Sequence, residues 1–159
     1  MNGMSIRFNE DDVRAMGRVA AGVRGMKLKG DDEIIGMEVI SAEAQKEGRQ
    51  LLTIMGNGYG KRTDIEEYGI QGRGGSGIKT AQITAKTGKL VCAYVTEMKD
   101  SRDLLIMSQG GQIIRTSVTS VSVIGRATQG VRVMRFKQAG DMVATATVVA
   151  GAVEEKEEK

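Results

Sequence analysis

Gly72-Arg73-Gly74-Gly75-Ser76-Gly77-Ile78-Lys79 is one of three forms of a single phrase in this chain. The others are Gly17-Arg18-Val19-Ala20-Ala21-Gly22-Val23-Arg24 and Gly125-Arg126-Ala127-Thr128-Gln129-Gly130-Val131-Arg132. The copies are offset by 55 and then 53 residues, and the same offsets align Arg7 with Arg62 and Arg115, and Asn9 with Asp64 and Ser117. A fixed period of this length means one supersecondary unit used repeatedly, each copy holding its cations in the same place. Arginines presented periodically along one surface suit a polyanion whose charge is also periodic.

The residues around the phrase set the fold class. In the second repeat, Leu51–Met55 is apolar and β-compatible, and Gly56-Asn57-Gly58 after it is a hairpin turn signal. Residues 60–63 read as the return strand, Ile78–Ile83 as a third strand and Leu90–Val95 as a fourth, apolar enough for burial on both faces. The third repeat offers Leu104–Met107, a Gly110-Gly111 turn, Gln112–Thr116, Val131–Phe136 and Met142–Val149. Four short strands per repeat predict an all-β, propeller-like architecture. Asn9, Asp64 and Ser117 each open the longer connection before the Gly-Arg phrase as candidate N-caps of a short helical turn, with Glu67 placed to complete a capping box.

The first repeat begins at its hairpin turn, because Asn2-Gly3 matches Asn57-Gly58. The expected organisation is therefore residues 1–50 as a partial blade lacking its first strand, 51–103 as a complete blade, 104–149 as a complete last blade, and 150–159 as an acidic disordered tail. A blade short of a strand has an open edge, so the chain reads as a fragment of a longer protein or as a unit that needs a partner. Residues 41–49 form a polar inter-repeat loop.

Composition narrows the function. The net charge is +3; the last six residues, with four Glu and two Lys, contribute −2 and leave +5 for the rest. That tail is placed to compete with an anionic partner for the basic surface. The chain has no His and one Cys, Cys92, which excludes a Ser-His-Asp or Cys-His catalytic arrangement and argues against a zinc site or an internal disulfide. No apolar run approaches the roughly 20 residues of a membrane span, and Met1-Asn2-Gly3-Met4 lacks the features of a signal peptide. A reducing, cytoplasmic setting is expected. Glycine at 22 of 159 residues is about twice the usual ~7 %, which fits many tight turns.

Two readings stand for the cations. Arg18, Arg73 and Arg126 on the loops contact phosphates, with Arg24, Lys79 and Arg132 beside them on strands, or they pair with neighbouring acids. Three copies, each with its second cation, favour phosphate contact. Arg7, Lys61, Arg62 and Arg115 on the return strands either protect sheet edges or extend the phosphate track. The glycine-rich Gln71–Gly77 stretch is not a Walker A motif, since Gly77 is not followed directly by Lys-Ser/Thr: Ile78 stands between it and Lys79-Thr80. Tyr59 and Tyr68 are expected to be packing residues.

Asn2-Gly3, Ile6–Arg14, Met16-Gly17-Arg18, Gly22–Leu28, Asn57–Thr63 and Gly125–Val131 together resemble the C-terminal domain of the DNA gyrase A protein, over about residues 2 to 149. The resemblance implies a β-pinwheel of four-stranded blades that exchange strands, about two and a half to three blades being present here. It implies non-sequence-specific binding and wrapping of duplex DNA around a basic rim through the ten cations named above. It also implies membership of a type IIA topoisomerase, associated with the bacterial nucleoid, in which the gyrase A and gyrase B proteins form an A2B2 heterotetramer. Such an enzyme uses ATP and Mg2+ for negative supercoiling, while this chain itself carries no cofactor and no catalytic residues. The family's Gln-Arg-Arg-Gly-Gly-Lys-Gly box has its nearest counterpart in Gln71–Gly77, with Gly72 in place of Arg and Ser76 in place of Lys. Rival readings are the C-terminal domain of the equivalent topoisomerase IV protein and a propeller-like protein-interaction scaffold.

Overall fold

The computed structural model describes residues 1–41 and 48–151. Most of the expected polar loop at 41–49 and nearly all of the expected acidic tail lie outside them. Nine strands form three sheets, with no helix longer than a three-residue 3-10 turn among the described residues.

The central sheet starts from the hairpin that the sequence marks. Strand β1 is Met4–Ser5; β2 (Arg49–Met55) and β3 (Tyr59–Asp64) are the arms of the hairpin, with Ile54 opposite Gly60 and Leu52 opposite Arg62. Gly58 takes φ +77 at the turn, and Asn57 uses its side-chain amide to tie the turn to the Ala85 and Lys86 carbonyls. Strand β4 is Ile78–Lys79, and β5 (Leu90–Glu97) lies antiparallel on the other side of β2. The third repeat repeats this pattern: β6 (Asp103–Ser108) is flanked by β7 (Ile113–Ser117) and, after the short β8 (Val131–Arg132), by β9 (Val143–Val149). A register shift falls at Ile54/Met55 in one sheet and at the equivalent Met107/Ser108 in the other.

The third strand of each repeat departs from expectation. Ile78–Ile83 and Val131–Phe136 are strand for two residues only, and both pair with the preceding repeat: β4 with β1, and β8 with β3. Hydrogen bonding explains the shortness. The N–H groups of Thr80 and Ala81 both turn onto the Gly3 carbonyl, and those of Val133 and Met134 onto the Gly58 carbonyl. Two successive donors sharing one acceptor break the alternation of a ladder, so each strand stops there. The sheet order β5-β2-β3-β8 thus includes a strand from the next repeat.

The core follows from this exchange. Leu52, Ile54 and Cys92 of the second repeat are buried with Leu104, Ile106, Val118, Val121, Met134, Val143 and Ala146 of the third. A smaller cluster joins Met55, Tyr59, Ala81 and Leu90. Strand β5 is not buried on both faces; Leu90, Cys92 and Thr96 are buried and the residues between them half-buried. Val131 is exposed, Met134 buried, and Val133 half-buried against the core. In repeat one, Ile34, Met37 and Val39 remain exposed, whereas their counterparts in repeat two belong to or adjoin β5, which packs on β2.

All three connections carry the expected turn, as 3-10 turns at Glu10–Asp12, Ile65–Glu67 and Val118–Ser120. The capping prediction holds for Ser117, whose hydroxyl accepts from the Thr119 N–H. It fails for Asn9 and Asp64, which make no side-chain cap bond. Asp64 instead accepts from the Gln50 amide across the hairpin, and Glu67 accepts from the Arg126 N–H of the next repeat rather than completing a capping box.

Candidate nucleic-acid interface

Ten cations are singled out by the repeat, and the structure sorts them by what they face. Three of the four return-strand cations face inward, and Arg115 does not. Lys61 is fully buried; its ammonium donates to the Gly125 carbonyl at 2.9 Å, to the Arg126 carbonyl and to the Thr128 hydroxyl. Burial pulls its pKa down to about 8, partly opposed by the Glu67 carboxylate. Arg62, 5 % exposed, donates to the carbonyls of Val121 at 2.8 Å and Thr119 at 3.0 Å and to the Gln50 side chain at 2.8 Å. Arg7, half-buried, holds the Ile65 and Tyr68 carbonyls, both at 3.1 Å, in the corresponding turn of repeat two.

These three side chains fasten each repeat to the next, so the expectation that Lys61 and Arg62 lie on an outer phosphate track is corrected. A strand pattern alone gives no sign of this, because the satisfied carbonyls lie more than 50 residues away. Arg115, third in the series, is exposed and pairs with Asp103 at 2.7 Å and with the Ala150 carbonyl.

The loop cations bridge repeats at the surface. Arg73 donates to the Arg24 carbonyl at 2.6 Å and the Asp12 carbonyl at 2.8 Å, and Arg126 donates to the Lys79 carbonyl. The bonds to Arg24 and Lys79 are equivalent under the repeat. Both loops also lie along the preceding third strand: Lys27 N–H donates to the Gly75 carbonyl and Gln82 N–H to that of Thr128. Arg73 and Arg126 are half-buried and Arg18 is exposed.

The strand cations Arg24, Lys79 and Arg132 face outward and are exposed. Among the described residues the Arg24 and Lys79 side chains take no hydrogen bond. The loop bonds therefore link two pairs across successive repeats, Arg73 on the backbone of Arg24 and Arg126 on the backbone of Lys79, with Arg18 and Arg132 at the two ends of the series. Within each repeat the loop arginine and strand cation are separated by the same interval, as 18/24, 73/79 and 126/132.

Arg132 adds a feature that repeat alignment does not show. Its guanidinium stacks on the Tyr59 ring, 4.9 Å from the centroid, and donates to the Tyr59 hydroxyl at 2.9 Å; Lys86 covers the same ring at 5.5 Å. The Arg132 hydrogen bond, aided by both positive charges, lowers the Tyr59 pKa. Tyr59 is buried as expected of a packing residue, yet it also fixes two cations together. The repeat cannot point to Lys86, since Asp31 and Ala139 occupy its equivalent positions. Tyr68 is buried, with its hydroxyl bonded to Thr80.

Among the described residues no group of three His, Cys, Asp or Glu is placed to hold a metal ion, and no helix is long and apolar enough to cross a membrane. Cys92 is buried, which raises its pKa to about 11.

A family model described as DNA gyrase C-terminal domain, beta-propeller, matches residues 1–41, 51–97 and 102–150. The DNA gyrase A protein of Staphylococcus epidermidis (strain ATCC 12228) is 43 % identical over 144 residues, covering 91 % of this chain and 16 % of that protein. Its counterpart from Staphylococcus aureus (strain MRSA252) is 42 % identical over 154 residues, covering 97 % and 17 %. The chain thus spans about a sixth of the length of these curated relatives. Among solved structures, a DNA gyrase A C-terminal domain superposes with TM-score 0.79 at 28 % identity, over 93 % of this chain and 48 % of that one. A C-terminal domain of DNA topoisomerase IV superposes with TM-score 0.82 at 23 % identity, over 94 % and 44 %, a likeness of fold alone.

Proposed function

This chain belongs to the DNA gyrase C-terminal domain family, and from that premise we propose that it holds duplex DNA against the run Arg18, Arg24, Arg73, Lys79, Arg126 and Arg132, by phosphate contact and without reading sequence. The observation that carries this reading is the inter-repeat bond that recurs in the run. Each of Arg73 and Arg126 rests on the backbone of the preceding strand cation, so successive charges keep a constant relation. Residues 1–50, 51–103 and 104–149 then serve as successive blades, each contributing one loop cation and one strand cation.

Physical chemistry favours phosphates over base edges here. The described residues include no helix that could enter the major groove, and the helical segments are single 3-10 turns. Six phosphate contacts release counterions with a log–log salt slope of about −0.9 each, so affinity falls roughly a thousandfold between 50 and 200 mM salt. Bending 20–30 base pairs by 40–90° costs on the order of 1–6 kcal/mol, and a row of cations offsets that cost.

In the longer protein, the wrapped segment is presented to a strand-passage gate and biases passage toward negative supercoiling. The rest of the gyrase A protein and the gyrase B protein, as A2B2, supply cleavage, ATP and Mg2+ there, in the bacterial cytoplasm at the nucleoid. The gyrase reading is preferred to topoisomerase IV because the 42–43 % identities are to gyrase A proteins.

Wrapping is tested by sealing a nicked circular DNA with ligase in the presence of the chain. The reading predicts a linking-number shift of constant sign that grows with bound chain. Binding without any shift would reduce the function to contact without wrapping.

A further inference from the structure

We infer that Lys86 joins Arg132 on the Tyr59 ring as a paired phosphate anchor, so that the junction of the second and third repeats grips a duplex backbone through one cation more than the junction of the first and second. This rests on the proposed run of phosphate contacts and adds to it a residue that the repeat does not contain.

The two cations reach one ring from separate segments. Arg132 is the register partner of Tyr59 across β3 and β8, and its guanidinium lies 4.9 Å from the ring centroid with a 2.9 Å bond to the hydroxyl. Lys86 comes from the turn before β5 and places its ammonium 5.5 Å from the same centroid. Both residues are exposed, and neither forms an ion pair among the described residues. No carboxylate counters the two charges at the Tyr59 hydroxyl. Like charges held this close repel, and the ring face offsets only part of that repulsion. Backbone phosphates brought alongside would remove the rest.

The turn that carries Lys86 is closed from both sides. The Asn57 amide donates to the Ala85 carbonyl at 2.9 Å and to that of Lys86 at 3.2 Å. The hydroxyl of the fully buried Thr87 accepts from the Thr84 N–H at 3.0 Å, and the Gly88 N–H returns to the Thr84 carbonyl at 3.0 Å. A cation on such a turn loses less conformational freedom on binding than one on an open loop.

The preceding junction shows what the pair adds. Met4, Lys79 and Asp31 stand there in place of Tyr59, Arg132 and Lys86, and Met4 is the register partner of Lys79 as Tyr59 is of Arg132. The ring is replaced by a thioether and the second cation by an acid. Arg132 and Lys86 give +2 at one junction, whereas Lys79 and Asp31 cancel at the other. The same strand pairing thus carries two unequal fields, and a polyanion lying across both is held harder at the second.

The test is the salt dependence of linear-duplex binding by the wild type, by Lys86→Gln and by Lys99→Gln, the last an exposed lysine beyond the other end of β5. The expected log–log slope is shallower by about 0.9 for Lys86→Gln and unchanged for Lys99→Gln. A photocrosslinker carried on Lys86→Cys should link to the duplex, and one on Asp31→Cys should link far less; the native Cys92 is buried and does not compete. Inorganic phosphate, matched to chloride in ionic strength, should compete no better against the wild type than against Lys86→Gln. Selective competition would assign the pair to the free ion and overturn the duplex as its source. Equal linkage from positions 31 and 86 would overturn the unequal junctions. An unchanged slope for Lys86→Gln beside a steep wild-type slope would overturn the anchor alone, whereas no binding by the wild type at low salt would overturn the phosphate run together with it.

Discussion

Arg62 and Arg132 lie on adjacent strands of one sheet, β3 and β8, and do opposite work. Arg62 is buried and spends its donors on carbonyls of the neighbouring repeat. Arg132 is exposed, its guanidinium laid on a tyrosine ring. Both are arginines in the same periodic pattern, so periodicity alone does not tell a fastener from a contact. Burial and partners decide together: a buried cation whose donors are taken up by carbonyls builds the joint, an exposed one on an aromatic or in open solvent supplies the field, and the half-buried Arg73 and Arg126, each donating to a carbonyl of the preceding repeat, stand between the two.

The strongest way to break this comparison is Arg62→Ala. Removing the guanidinium leaves the Val121 and Thr119 carbonyls and the Gln50 side chain without their donor, and should cost roughly 3–4 kcal/mol in denaturant unfolding. Affinity for DNA per folded molecule should be unchanged. An unaltered melt together with weaker binding would return Arg62 to the interface.

The glycine pair sharpens the same contrast on the backbone. Gly58→Ala places a methyl on the Met134 carbonyl oxygen at φ +77 and should cost roughly 2–3 kcal/mol. Gly111→Ala, at φ +82 but with nothing within 4 Å among the described residues, should cost only about 1 kcal/mol. Equal costs would mean that turn strain, and not the inter-repeat contact, dominates.

Asp100 is the acid beside the joint. It is 4 % exposed and held by the Arg102 guanidinium and the Glu97 and Arg102 N–H groups, which together bring its pKa down to about 2. A carboxylate whose folded pKa lies below its unfolded value stabilises the fold above that unfolded value, near pH 4. The contribution is lost as pH falls through about 2. It amounts to roughly 2 kcal/mol, so Asp100→Asn should lose about that at pH 7 and flatten the acid limb of stability between pH 4 and 2. An unchanged acid limb would remove Asp100 from the account.

The smallest effect is expected of Tyr59→Phe. It deletes one bond to Arg132 while keeping the ring beneath both cations, and should change stability by less than about 1 kcal/mol. A larger loss, seen as a lowered unfolding midpoint, would show that the hydroxyl and not the ring positions Arg132.

The strands that run into a hairpin turn are legible in the sequence: Gly56-Asn57-Gly58 and Gly110-Gly111 mark the turns, and the apolar runs before them are β2 and β6. The third strands are not, because Ile78–Ile83 and Val131–Phe136 look uniformly β-compatible. What stops them is a pair of N–H groups converging on a glycine carbonyl of another repeat. The same holds for the site. Repetition identifies all six cations of the proposed run, since their spacing is local. It cannot turn Lys61 inward, because the Gly125 and Arg126 carbonyls reach it only through tertiary folding. Lys86 escapes for the opposite reason, being absent from the other repeats.

The most direct test of the account compares the salt dependence of duplex binding by the wild type and by a variant with Arg24, Lys79 and Arg132 all changed to Gln. The account predicts a log–log slope shallower by about 2.7 for three lost phosphate contacts, with unfolding shifted by no more than about 0.5 kcal/mol at each surface position. An unchanged slope in a folded variant would contradict it.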